Sequence, residues 1–305
     1  QAGGLDQNTF NRVIDDVVAV YNPIVQAHGG RLVVNRLWED STVNANASRQ
    51  GNLWYINMFG GLARHPATTE EGLYLVLCHE LGHHLGGAPK VSGDPNSNWA
   101  AVEGQADYFS TLKCMRRVFA GKSNQVANEP EGARAACEQN YTNPEDVGVC
   151  IRLVMGGLSS GEITYAISGG SGPHPSLTTP DPRQVSSTFE QHPAAQCRLD
   201  TYFSASLCQA NLDTELSNSD PEQGGVCSVT QKSKVGNRPL CWYRAPGSQN
   251  PNPPNPGNGI AGQPLLNGQI NLIDTDPTQT VTITYDISSF PGATQAFIEV
   301  SKPNQ

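Results

Sequence analysis

His79 and His83, with Glu80 between them, fall inside a stretch that reads as a single amphipathic helix, and this pattern constrains the chain more than any other. Tyr74, Leu77, Cys78, Leu81 and Leu85 recur at helical spacing. Thr68 or Thr69 supplies an N-cap, Glu70 and Glu71 suit the first turn, and Gly86-Gly87 ends the run. Residues four apart share a helix face, so both imidazoles can reach one ion while Glu80 sits beside it. This HExxH arrangement on a helix points to a zinc site whose glutamate is expected to act as general base.

A catalytic zinc takes three protein ligands and a water, so a third ligand is required. Gly86 extends the pattern to HExxHxxG, but the position that would then hold the ligand is Pro89, which cannot bind metal. Downstream, Glu103 and Asp107 stand one turn apart on a segment that reads as helix from about Trp99 to Val118. Gly104 and Ala106 are small enough there to let it pack closely on the first helix. Glu103 is the expected third ligand of one zinc ion per chain. Asp107 faces the same way and is expected to accept a hydrogen bond from the non-ligating nitrogen of a zinc histidine, His79. Zinc lowers the pKa of a bound water toward about 7, and Glu80 can take its proton, so peptide hydrolysis is the expected reaction. A structural zinc site would be closed and Cys-rich, and no cysteine here has that spacing.

Composition narrows the setting. Lys plus Arg number 19 against 28 for Asp plus Glu, a net charge of -9, with no block of like charge, which argues against a nucleic-acid partner. The longest apolar stretches, Leu73 to Cys78 and Val17 to Val20, fall far short of the roughly 18 residues a membrane span needs, so none is expected. The chain opens at Gln1 without a basic or apolar leader, as a processed chain would. Its eight cysteines (78, 114, 137, 150, 197, 208, 227 and 241) form an even set with no CxxC pair. At least three disulfides and an extracytoplasmic, secreted or periplasmic, location are expected. A Cys78–Cys114 bond reads as strained, because Cys114 stands eleven residues beyond Glu103, roughly 16 Å of helix.

Along the chain, Phe10 to Ala27 has helical apolar spacing. Arg31 to Leu37, Thr42 to Ala47 and Leu53 to Phe59 read as short strands, with a turn at Arg49-Gln50-Gly51-Asn52. Weaker helical patterns follow at about 128–141 and 144–157, then a Gly/Ser/Pro loop at 168–186. Residues 246–264 form a Pro/Asn/Gly linker, and strand-like alternation appears at 268–273, 280–287 and 294–301. The expected fold class is α+β. A mostly helical, zincin-type catalytic domain with a small sheet covers 1–245, its part at 197–241 rich in cysteine, and a small β module covers 265–305.

Several motifs now stand in order: Val43-Asn44-Ala45, Leu53 to Phe59 followed by Gly60-Gly61-Leu62, His79 to His83, Glu103 to Asp107, and His192-Pro193 to Arg198. Over roughly residues 31–203 they resemble the gluzincin peptidases, and within them the M48 (Ste24/HtpX-like) family. The resemblance implies a zinc endopeptidase acting on peptides or unfolded proteins. It implies His192 and Arg198 as donors to the oxyanion or the leaving amine, with His174, which precedes Pro175, as the runner-up donor. It also implies an edge strand, Trp54-Tyr55-Ile56-Asn57, against which an extended peptide lies. His28, His65 and His84 carry no pattern and read as structural or solvent-facing. The competing reading is a gluzincin-like peptide-holding or chaperone-like module without turnover; a cross-linked adhesion protein with an incidental metal is a third. The intact Glu80 favours the enzyme.

Overall fold

The computed structural model describes residues 4–248. The linker beyond Ser248 and the expected β module at 265–305 lie outside the described residues. The described part is α+β, mainly helical, with one three-stranded mixed sheet.

Helix α1 (Gln7–Ala27) starts where the Asp6 carboxylate accepts the Thr9 N–H at 2.7 Å, and it buries Phe10, Val13, Ile14, Val17, Tyr21 and Val25 along one face. Gly29, at φ 76°, turns the chain into β1 (Arg31–Leu37), followed by β2 (Ala45–Gln50) and β3 (Leu53–Phe59). β2 begins three residues later than its apolar alternation indicates, because Arg49 and Gln50 pair with Trp54 and Leu53, leaving only Gly51 and Asn52 to make the turn. The strand order is β1-β3-β2, with β1 parallel and β2 antiparallel to β3. β3 is therefore the centre of the sheet, and the expected substrate edge at Trp54-Tyr55-Ile56-Asn57 has its backbone paired on both sides. Trp54, Ile56 and Met58 point into the core. On the opposite face Asn57 joins all three strands, accepting from Asn35 at 2.7 Å and donating to Asn46 at 2.8 Å.

After the short α2 (Gly60–Arg64), α3 (Glu70–Leu85) is capped by the Thr69 hydroxyl on the Gly72 N–H and stopped at Gly86. Its sequence shows one apolar stripe, yet the helix is buried on nearly every side, since it packs against α1, the sheet, α4 and α7. Helix α4 (Glu103–Phe109) starts four residues later than its periodicity indicates. Trp99 and Ala100 close a turn there, the Ala100 N–H bonding the Ser97 carbonyl, and Ala101 is bridged to Lys90 and bonded through its N–H to the His83 carbonyl. α4 continues through a π turn (Ser110–Cys114) into α5 (Met115–Phe119). Ala106 lies against Gly82 of α3 so closely that a Cβ on Gly82 would come within 2.8 Å of Ala106 main-chain atoms. Gly104, expected to serve the same contact, instead faces the buried Trp242 indole.

The two helices run past each other in opposite senses, Gly82 beside Ala106 and Leu75 beside Met115. Travelling 16 Å beyond Glu103 therefore brings the chain back alongside Cys78, and Cys78–Cys114 forms with a Cα separation of 5.5 Å. The expectation of strain fails because it followed one helix and ignored the direction of the other. The remaining bridges are Cys137–Cys150, Cys197–Cys241 and Cys208–Cys227, and no cysteine is free. Four disulfides fit an oxidising, extracytoplasmic environment.

After α6 (Ala133–Glu138), α7 (Pro144–Ile167) runs ten residues beyond the expected 157. It is apolar and long enough to cross a membrane by length and composition, but it lies inside this fold against α3 and α8, with 67% of its most apolar window buried. Helix α8 (Ala195–Ser206) has no forecast in the apolar pattern. Its inward face carries Thr201 and Tyr202 beside Cys197 and Leu199, so polar groups break the period. From Leu207 to Ser248 the described chain has no helix or strand beyond an isolated bridge between Leu216 and Gly224. Disulfides and side chains hold it: Tyr108 donates to the Gly236 carbonyl at 2.5 Å, and Arg116 donates to the Cys208 and Ala210 carbonyls at 3.1 and 3.2 Å.

Candidate metal centre

α3 presents His79 and His83 on one face, their ring centroids 4.8 Å apart. α4 brings Glu103 opposite them from its first turn. Glu103 Oε2 is 3.2 Å from His79 Nε2, and Glu103 Oε1 is 3.8 Å from His83 Nε2. One donor atom from each of the three residues lies within 4.8 Å of the other two. A second grouping, Asp181 with Cys197 and Cys241, is not available as a ligand set because both sulfurs are spent on a disulfide.

Each imidazole is held from behind. His79 Nδ1 faces Asp107 Oδ1 at 2.7 Å, and His83 Nδ1 donates to the Ala101 carbonyl at 2.9 Å. Both rings therefore carry a proton on Nδ1 and turn Nε2 toward Glu103, the orientation a metal ligand requires. Glu103 Oε2 is buried without a properly formed hydrogen bond, an orphaned acceptor of the kind a cation satisfies. Two imidazoles and one carboxylate, converging with an orphaned oxygen, fit a divalent metal ion, which would displace the second proton that His79 carries without it.

The electrostatics follow from burial and from these contacts. Burial works against a charged His79, but Asp107 outweighs it and pushes the imidazole up to about 10. Burial holds His83 down to about 4. Burial would raise Glu103, yet His79 and His83 outweigh it and keep the carboxylate down to about 2. Glu80, buried beside His79 and lining the same cleft, is pushed up to about 7 by burial, placing its proton exchange near neutrality.

Asp107 is fully buried and takes donors from three sides: His79, the Arg198 guanidinium through Nε at 2.9 Å and Nη2 at 2.6 Å, and the Tyr202 hydroxyl at 2.7 Å. Arg198 and Tyr202 lie four apart on α8 and so face the site together. Arg198, expected as a donor to the reacting group, lines the cleft and pairs with Asp107 through two prongs, with Nη2 3.4 Å from His79 Nδ1. Tyr202, and Ser160, whose hydroxyl donates to it at 3.2 Å, are site residues that sequence reasoning missed. The signal for Tyr202 was its i, i+4 spacing from Arg198, visible only once α8 is recognised, whereas Ser160, on α7, had none.

His192 stands at the lip of the cleft, 68% exposed, with Nε2 3.2 Å from Glu103 Oε2. His174 is elsewhere: its ring bonds Glu162 at 2.8 Å and packs on Tyr165, and it does not line the cleft. His28 pairs with Glu215, His65 accepts the Ala67 N–H, and His84 is buried. The rest of the cleft is formed by Val43 to Ala47, by Trp99 and Ala100, and by Ile163, Thr164 and Ile167 of α7. The strand beside the histidines is thus β2 and its lead-in, not β3.

Comparison of the chain with models of known families, with curated proteins and with solved structures yields no match.

Proposed function

We propose that this chain is a zinc-dependent endopeptidase, secreted or periplasmic and similar to the M48 gluzincins, that hydrolyses peptide bonds of extended or unfolded protein substrates. The observation that carries this reading is the convergence of two histidine Nε2 atoms and a Glu103 carboxylate, both far nitrogens already bonded, with Glu80 beside them in an open cleft. His79, His83 and Glu103 would hold the ion. When bound, zinc supplies Lewis acidity to a water and to the carbonyl under attack. Glu80 accepts the proton of that water and returns it to the leaving amine, a task suited to a carboxyl whose pKa burial has brought near neutrality. Asp107, fixed by Arg198 and Tyr202, keeps His79 in the ligating tautomer. His192, on the open side, donates a hydrogen bond where negative charge develops.

The test compares zinc-loaded wild type with Glu80→Gln on a reduced, unfolded protein substrate. Wild type should cleave it and bind one zinc per chain. Glu80→Gln should keep the zinc and lose at least ~1,000-fold in turnover. Binding of the substrate without cleavage by either protein would instead support the peptide-holding reading.

A further inference from the structure

Beyond Ala47 the inward face of β2 carries Arg49, whose guanidinium lies between two indoles, 3.8 Å from the Trp54 ring centre and 4.7 Å from that of Trp99. Its Nε donates to His84 Nδ1 at 3.1 Å and its Nη2 to the His84 carbonyl at 3.0 Å. His84 in turn stacks on both indoles, and its Nε2 contacts the Tyr55 carbonyl at 3.3 Å. With one ring nitrogen accepting from Arg49, His84 is neutral and contributes no negative charge. Lys90 reaches the same place, its ammonium donating to the Trp99 carbonyl at 3.1 Å.

Both cations are half-buried, and among the described residues no carboxylate pairs with either. Burial lowers both, Arg49 to about 10 and Lys90 to about 8, and the only charged neighbour acting on Lys90 is Arg49. Two partly desolvated like charges that act on each other, in a protein of net charge -9, are unfavourable unless an anion joins them. Arg49 Nη1 forms no hydrogen bond yet is not enclosed, and Lys90 has two further N–H groups to offer.

The position gives the pair a use. Val43 to Ala47 and Trp99 line the cleft, and Arg49 lies two residues further along the same strand, roughly 7 Å beyond Ala47. We infer that Arg49 and Lys90, framed by Trp54 and Trp99, form a subsite at one end of the cleft that binds a carboxylate of the peptide substrate. The carboxylate belongs either to an acidic side chain or to the peptide's C-terminus. A carboxylate held there would set the register of the bound peptide along the cleft. This inference rests on the peptidase reading, and the measurements below separate the two.

Zinc-loaded full-length Glu80→Gln is titrated calorimetrically with a peptide cleaved by wild type, in paired forms: Glu or Gln at each position in turn, and C-terminal acid or amide. One acidic form should bind about tenfold tighter than its neutral partner. A Glu/Gln difference identifies a side-chain carboxylate, and an acid/amide difference identifies the terminus. Adding Lys90→Met should collapse that ratio toward one. Arg49→Met should do the same, and if that variant fails to fold because His84 loses its brace, Lys90→Met carries the test alone. Equal binding of every pair, or a ratio unchanged by Lys90→Met, overturns the subsite while wild-type turnover leaves the peptidase reading standing. If wild type cleaves nothing, the same titration is made with peptides of an unfolded protein, and equal affinities again overturn the subsite.

Discussion

Between Gln7 and Leu85 the chain makes α1, the sheet, α2 and α3 with a single cysteine, whereas from Val185 to Ala245 it makes one helix and carries four cysteines, all paired. The first region is held by apolar faces in regular period: α1 against α3, and Trp54, Ile56 and Met58 against both. The second is held by two disulfides and by buried polar groups, with Glu222 accepting from Tyr243 at 2.6 Å and Arg238 donating to Gln105 at 2.7 Å. The site lies on their seam. His79, Glu80 and His83 come from the periodic region, and His192, Arg198 and Tyr202 from the cross-linked one. The two histidines thus rest on a core that folds by hydrophobic burial, Glu103 comes from α4 between the two regions, and the groups that orient and assist them depend on covalent closure.

Arg198→Ala should break this arrangement most. It leaves Asp107 fully buried without its cation, a loss of about 3–5 kcal/mol in urea unfolding, with zinc affinity falling at least ~10-fold. Arg198→Lys restores the charge but not the two-pronged geometry and should recover only part. A stable, zinc-replete Arg198→Ala would show that the two regions are not joined through Asp107.

Replacing Cys197 and Cys241 together by Ser opens a loop of 44 residues, for which chain entropy gives about 4 kcal/mol. Hydrogen exchange should report lost protection in α8 while α1 and the sheet stay protected. Equal loss in both would mean that a single cooperative unit spans them.

Next comes His192→Ala, which touches only the exposed lip of the cleft. It should retain fold and zinc and lose about 100-fold in kcat, whereas His174→Ala, in the loop packed against Glu162 and Tyr165 of α7, should cleave like wild type. The reverse result would move the donor to His174.

The smallest effect lies away from the cross-linked region. Asp16 accepts from Lys122 at 2.5 Å and from Tyr74. Burial would raise its pKa, but Lys122 and Tyr74 outweigh this and hold it below the usual 3.8. A depressed carboxylate stabilises the fold above its unfolded pKa, and that stabilisation is lost as pH falls through the lower folded value. Asp16→Asn should therefore cost about 1 kcal/mol at pH 7, with the difference from wild type closing as pH falls below about 4.

The same division explains what the amino-acid order revealed. The bounds of β1 and β3 and the cap and stop of α3 were legible because apolar period and capping residues are local signals. His79, His83, Glu103 and Asp107 were legible because each pair is spaced one turn apart. That β3 is central was not legible, since it depends on the parallel pairing of Arg31–Leu37 with Leu53–Phe59 across an intervening strand. α8 was hidden because its buried face carries Thr201 and Tyr202, whose polar groups serve the fold through the Thr201 bond to the Cys197 carbonyl and the Tyr202 bond to Asp107. The same helix hid the true partner of Arg198, which is 91 residues away in sequence.

The contact of Gly82 with Ala106 has a consequence for how the site responds to heat. Gly82 lies between His79 and His83, and Ala106 between Glu103 and Asp107, so the gap across the donor set is fixed where one main chain touches another. Side chains can hop between rotamers on warming, but a backbone contact offers no such slack. The donor set therefore cannot widen by degrees as its surroundings soften: it keeps its dimensions until α3 and α4 part, and then loses them at once.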